Sequence, residues 1–514
     1  MNFQLRSENT LRYLLLPLVI FISFFYNINT VPLFDLDEGA FSEATREMLE
    51  RGDFISPYLN GEPRYDKPIL IYWLQAASVK LLGLNELALR LPSALFSTLW
   101  VMLIYAFVQR VRDSGSAAVA ALLTASALQV SIIAKAAIAD AALNFFISAA
   151  LFAIFLFYRS AEKKYIYWTF AAAALGFLTK GPVALLIPLA VSLMFFALKG
   201  KFTLWLRAVL NPAALLLFVL LAAPWYVAQY LKEGQAFIDG FFLKHNLARY
   251  QSTFERHGGD FFYYIPVLLI GLLPYSSVFM KLFTRAASIV KDDLQLFLLI
   301  WFLFVVVFFS FSQTKLPHYI VYGYPAVFIL MSFYIGALRS RFLTLLPPLA
   351  LFAALLALPI LVTHYAPLSN DAYTRAALQN AGDYFSPAYI VFFALSLLLT
   401  LYLMFERRYA ITQKLLLSGV VTVLGVTLFI VPLAGQILQQ PIKEAALLAK
   451  RADYTVVMWG LNTPSFSVYS ERITPRRDPR PGDVVLTKSP RLAELKHYEV
   501  LYEKNGIALV RVLH

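Results

Sequence analysis

The sequence predicts a polytopic α-helical membrane protein of about thirteen spans, closed by a small extramembranous α/β module. Three observations carry that prediction. The 514-residue chain is 60% hydrophobic and only 15% charged, where soluble chains run near 45–50% apolar and about 25% charged. The apolar residues gather in blocks of about 20, each long enough to cross a bilayer. The stretches between blocks alternate between short basic ones and longer mixed ones, as loops do when they face opposite sides of a membrane.

Taken in order, the blocks fall near 12–28, 91–110, 116–134, 141–158, 165–179, 181–198, 208–229, 261–280, 294–312, 319–337, 342–363, 387–405 and 415–436. Arg6 and Arg12 precede the first, and no small-residue cleavage site follows it, so it reads as an uncleaved first span. One set of loops holds Arg110 and Arg112, Lys163 and Lys164, Lys199 and Lys201, Arg285 and Lys291, Arg339 and Arg341, and Arg407 and Arg408. Short and basic, these belong on the cytoplasmic side with the N-terminus. They also account for the net charge of +13, which in a soluble protein would suggest nucleic acid. The other set is richer in acids, tyrosine and histidine and includes the long loop 29–90. An odd number of spans puts the tail on that same side.

Residues 1–436 thus read as the membrane domain and 437–514 as a separate module. In the module 454–459 and 483–487 read as strands and 441–450 and 490–495 as helical. Segments 498–502 and 507–512 form a hairpin with Asn505-Gly506 at its turn. Its run of Arg472, Arg476, Arg477 and Arg480 is a solvated loop or a phosphate-binding one. With no cysteine in the chain, disulfides, thiolate nucleophiles and Cys-based metal sites are excluded. No Walker, G-x-G-x-x-G, G-x-S-x-G or H-E-x-x-H motif occurs, which argues against ATP hydrolysis, nicotinamide chemistry, α/β-hydrolase chemistry and zinc proteolysis.

Chemistry is expected in the mixed loops. Asp35, Asp37 and Glu38 follow the first span at once, and Glu43, Arg46, Glu47, Glu50 and Arg51 then alternate with apolar residues. That spacing predicts a helix lying in the interface plane, charges toward water. A second amphipathic stretch covers 69–82, and Tyr65-Asp66-Lys67-Pro68 sits between the two. Lys135 and Asp140 bracket an almost wholly apolar segment, and an acid so placed needs a cation, a metal or a substrate. Lys180 stands alone before Gly181-Pro182, and Lys315 alone before Leu316-Pro317. Snorkelling at a helix end would account for either lysine. Together with Lys67 and the Pro and Gly beside them, they also suit a phosphate carried on a lipid. His245 and Arg249 are four apart and share a helical face.

These residues resemble a known family. Asp37-Glu38-Gly39-Ala40-Phe41-Ser42-Glu43 is similar to the first-loop motif of the protein mannosyltransferase superfamily. Tyr65-Asp66-Lys67-Pro68, Ala139-Asp140, Thr179-Lys180-Gly181-Pro182, His245-Asn246 with Arg249-Tyr250, and Lys315-Leu316-Pro317 with Tyr319 resemble its further signatures in order. The nearest branch is the bacterial aminoarabinose (lipid A) transferases. The resemblance implies a GT-C membrane glycosyltransferase of the bacterial inner membrane, N-terminus cytoplasmic, active site and C-terminal module periplasmic. It implies a sugar donor on polyprenyl (undecaprenyl) phosphate, a lipid A, other glycan or protein acceptor, and neither nucleotide cofactor nor nucleic acid partner. It further implies Asp37 and Asp140 as acids at the reaction centre, and Glu38, Lys67, Lys180, Arg249, Lys315 and Tyr319 as substrate- and phosphate-binding groups. Asp66 and His245 would hold a divalent metal, zinc or magnesium. The family commonly has Glu at the first of these positions, and Phe41 stands where it often has Tyr.

The residues also admit two other classes of function. A lipid-linked sugar flippase needs ionisable groups within its spans and a path open to both faces. A non-catalytic assembly protein would draw on the arginine-rich module alone.

Overall fold

The computed structural model describes residues 14–248 and 259–513. Each of the thirteen apolar blocks contains helix among the described residues, but not all are unbroken spans. Among the described residues eight helices are long and apolar enough to cross a membrane, and four shorter apolar ones accompany them. Two blocks are broken by the backbone. Ala127 is extended between Ser114–Ser126 and Leu128–Ile133. Pro274, which has no N–H to continue a helix, lies between Tyr264–Gly271 and Ser276–Phe283.

Local sequence fixes where many helices begin. Asn85, Asp113, Asn211, Asp292 and Ser386 each accept a hydrogen bond from a backbone N–H of the helix they precede, satisfying a donor that the helix leaves unpaired. The interior is aromatic: Phe107 stacks on Phe152 at 4.0 Å and Phe152 meets Trp301 edge-on at 5.8 Å. At one end of the bundle the basic loops are held by their own pairs, Lys414 by the Leu403 carbonyl and Lys199 by Asp293. The polar loops gather at the other end.

There the chain builds a platform. A short ribbon pairs β1 (Tyr58–Leu59) with β2 (Glu62–Pro63). Helix Asp37–Arg51 forms as expected, and Asp37, Glu50 and Arg51 are exposed, but its central charges do not face water. Glu43, Arg46 and Glu47 are buried; Arg46 grips Glu43 at 2.7 and 2.8 Å and Glu50 at 2.6 Å. The ribbon donates the Gly61 N–H to Glu47 at 3.1 and 3.2 Å, and the C-terminal module packs on the same helix.

That module has strands β3 (Val456–Trp459), β4 (Val484–Lys488), β5 (Tyr498–Lys504) and β6 (Ile507–Val512) in the order β3-β4-β6-β5. The hairpin turns at Asn505 and Gly506, both at positive φ. Helix Pro464–Ser470, which the sequence did not announce, packs on helix Asp37–Arg51. The last span continues without a break into the module, as one helical run over Ile411–Arg451, so no linker marks the expected boundary near 436.

The module is latched by Asp35, whose carboxylate accepts the Ser465 N–H at 3.0 Å and the Ser465 hydroxyl. Gly39 is required beneath it, because a Cβ there would lie 2.6 Å from the Ser465 nitrogen. Burial pushes the Asp35 carboxyl up to about 7 despite both hydrogen bonds. Between about pH 4 and pH 7 the folded protein therefore holds a proton that the unfolded chain has released, and stability falls as pH rises through that window. Asp35→Asn keeps an oxygen for Ser465 and removes the charge. Its melting temperature relative to wild type is expected to rise from pH 5 to pH 8; parallel curves over that range would show that Asp35 does not titrate at the latch.

Candidate active site

A cavity of about 590 Å³ opens between the platform, the bundle and the module. Asp37 lies at the first turn of its helix and is exposed to that space. Among the described residues its carboxylate has no hydrogen bond or ion pair. Glu38, next to it, is consumed. Arg90 grips both its oxygens at 2.7 and 2.8 Å, and the N–H groups of Phe34 and Ala137 donate to them at 2.8 and 2.7 Å. Arg90 also donates to the carbonyls of Ile28, Val31 and Pro32 at 2.6–3.0 Å. Expected among the phosphate-binding groups, Glu38 is instead turned inward, both oxygens taken by Arg90 and backbone N–H groups, and anchors the loop that carries Asp37.

Asp140, at the start of helix Asp140–Ser160, forms the opposite wall. Lys180 donates to its oxygens at 2.7 and 2.9 Å, and the Tyr322 hydroxyl donates to it at 2.6 Å. His318 Nε2 is 3.9 Å away. The turn after Lys180 needs its glycine twice over: Gly181 has φ +78°, and a Cβ there would meet the Phe241 ring at 2.6 Å.

A third wall is the segment after the ribbon. Lys67 Nζ is 2.7 Å from Asp66 Oδ1, and Arg64 reaches the other Asp66 oxygen at 3.0 Å and the Tyr72 hydroxyl at 3.1 Å. Arg64 also lies over the Phe41 ring, 5.5 Å from its centre. His245 Nδ1 is 3.3 Å from Asp66 Oδ1. Asp66 and His245, the pair expected to hold a metal, thus lie together on this wall, with Lys67 on the same carboxylate. Among the described residues no group of three His or acidic side chains converges.

So Asp37, Asp66, Lys67, Asp140, Lys180, His245 and Tyr319, scattered over 280 residues of sequence, line one cavity. Lys315 does not. It is buried with Nζ on the Ser312 carbonyl at 2.6 Å, closing the end of helix Asp293–Phe311. Arg249 lies outside the described residues. The structure adds Arg64, Lys244 and His318, together with Asn462 and Arg476 from the module. Arg64 and His318 adjoin residues already singled out. Arg476 was one of four equivalent-looking arginines; Arg472 and Arg477 pair with Asp453 and Asp483, while Arg476 faces the cavity.

A second chamber of about 390 Å³ shares Asp66, Lys67, Lys180, His245 and Tyr319 with the first. Beyond them its lining turns apolar, with Pro182, Val183, Leu186, Phe242, Phe308 and Phe309.

Residues 66–228 match the family described as dolichyl-phosphate-mannose-protein mannosyltransferase. An uncharacterised protein of Aquifex aeolicus is 34% identical over 325 residues, which is 62% of this chain and 72% of that one. The chain belongs to the protein mannosyltransferase and aminoarabinose transferase superfamily of GT-C glycosyltransferases. A relative from Aeromonas hydrophila, the undecaprenyl phosphate-alpha-4-amino-4-deoxy-L-arabinose arabinosyl transferase, is 30% identical over 61% of this chain and 58% of its own. This GT-C chain therefore matches less than two thirds of the length of that named transferase. The GT-C fold extends further than the sequence match. The crystal structure of ArnT from Cupriavidus metallidurans bound to undecaprenyl phosphate superposes with a TM-score of 0.79 over 96% of both chains, at 21% identity.

Proposed function

We propose that this protein transfers a hexose or pentose from a polyprenyl phosphate donor to a lipid A or other envelope-glycan acceptor. One observation carries the reading: a chamber of lysines and an unpaired carboxylate runs into an apolar chamber through shared walls. That is the shape of an anionic head on a hydrocarbon tail. The donor phosphate belongs at Lys67, Lys180 and Tyr319, where the chambers meet, and its prenyl chain against Phe242, Phe308 and Phe309.

In the reaction the bond from the anomeric carbon to the phosphate oxygen breaks, and its electron pair stays on the phosphate. The acceptor oxygen forms the new bond to that carbon, through a transition state with oxocarbenium character. The leaving group is already anionic, so it needs cations rather than a proton. A hydroxyl acceptor gives its proton to Asp37; a phosphate acceptor has none to give, and Asp37 then orients it. Asp140 holds Lys180 toward the phosphate. The basic loops at the far end of the bundle support a cytoplasmic location for that end, and with it a site on the periplasmic side of a bacterial inner membrane.

Sugar transfer from undecaprenyl-phosphate donors, measured on membranes of cells with and without the protein, tests the reading. Lys67→Ala is expected to weaken donor use by about 1.5–3 kcal/mol, roughly ten- to a hundredfold, the worth of a charge-assisted hydrogen bond in a dry site. Lys315→Ala, which removes a lysine turned from the cavity, is expected to leave donor use near wild type. Wild-type membranes that transfer nothing from any polyprenyl donor would overturn the function, and equal effects of the two lysines would overturn the assignment of the phosphate.

A further inference from the structure

A third cavity, of about 330 Å³, meets the first at Leu36, Asp37, Ile138 and His318. It reaches none of the donor-site lysines. Its far rim is apolar and turned to the lipid: Ile132 is 41% exposed, and Ile430 and Val431 are half-buried on the last span.

The one lysine of this cavity is Lys135, which the donor site does not use. It is only 7% exposed. Among the described residues it forms no ion pair, and its single hydrogen bond is a long one, 3.5 Å to Thr427 Oγ1. The acids on the same walls are committed elsewhere. Glu38 is held by Arg90. Asp35 is latched to Ser465, its carboxyl raised to about 7. Asp37 is the reacting group. A buried ammonium is costly, and burial with Arg90 nearby outweighs the attraction of Glu38, lowering its pKa to about 8. An anion delivered to this cavity would offset that cost.

We infer that Lys135 binds the phosphate of an anionic glycolipid acceptor, which comes from the membrane through this third cavity and presents its nucleophile to Asp37. This rests on the function proposed above. It assigns donor and acceptor separate approaches, with Asp37 and His318 where they meet. Lys135 touches the acceptor and not the reacting atoms, so it sets acceptor specificity rather than catalysing transfer.

Binding tests it without turnover. The detergent-solubilised full chain is titrated with bisphosphorylated lipid A and with the same lipid stripped of phosphate. Wild type is expected to prefer the phosphorylated form by tenfold or more. Lys135→Met should lose that preference and Lys135→Arg should keep it. Thr427→Val, which breaks the one hydrogen bond without touching the charge, should also keep it. Undecaprenyl phosphate binding should be unchanged in all three variants. A wild type that does not discriminate, a Lys135→Met that still does, or a Thr427→Val that reproduces the loss would each overturn the assignment. Competition by millimolar inorganic phosphate would overturn the lipid as the source of the anion. Failure of the transferase reading would appear elsewhere, as absence of sugar transfer by wild type.

Discussion

Asp37→Asn is expected to fold and insert as the wild type does, and to transfer sugar at least about a hundredfold more slowly, the lower end for loss of a general base. The structural role open to Asp37, in the first turn of its helix, is that of a negative charge at the helix N-terminus, and asparagine gives up only about 0.3–1 kcal/mol of that. Asn also keeps the shape. What it loses is negative charge and basicity, at a carboxylate that makes no hydrogen bond among the described residues and faces the cavity. Its neighbours show how unusual that is: Asp35, Glu38 and Glu43 all have partners. A side chain left open amid such pairing is free to meet a substrate. Sugar transfer by membranes carrying either protein decides, and near-normal turnover by Asp37→Asn would remove this residue from the reaction centre.

Arg90→Met is expected to cost about 3–5 kcal/mol, the usual effect of removing one partner from a buried ion pair. Arg90 makes five hydrogen bonds, two to Glu38 and three to the carbonyls of Ile28, Val31 and Pro32. Without it Glu38 is a bare charge in the interior and three carbonyls lose their donor. The double variant Arg90→Met with Glu38→Met removes the stranded charge and is expected to recover part of the loss. Thermal unfolding in detergent measures both. A single variant that melts with wild type would mean that the pair does not hold the loop, and that Asp37 is positioned by other means.

The sequence made some of this site legible because charge is conspicuous in an apolar chain. Asp37, Lys67, Asp140 and Lys180 stand out by position alone. Direction is not written there. Lys315 and Lys180 have the same surroundings in sequence, a lone lysine before a proline, yet one caps a helix end and the other pairs with Asp140 across the cavity. Glu43, Arg46 and Glu47 of helix Asp37–Arg51 read as solvated because a segment that packs on the helix, Pro464–Ser470, lies more than 400 residues away. Counting apolar residues found the long apolar helices but not the breaks at Ala127 and Pro274, which depend on backbone geometry rather than hydropathy.

The Asp35 latch has a consequence for biogenesis. Its partner, Ser465, is 430 residues further along the chain. At about 5–20 residues per second of synthesis, roughly 20–90 s separate the emergence of the reaction-centre loop from that of the segment that roofs it. Throughout that interval the transmembrane helices can insert, but the chamber lacks Asn462 and Arg476. The nascent protein thus crosses the membrane as an incomplete catalyst, and becomes a closed one only when the module folds back onto the first loop.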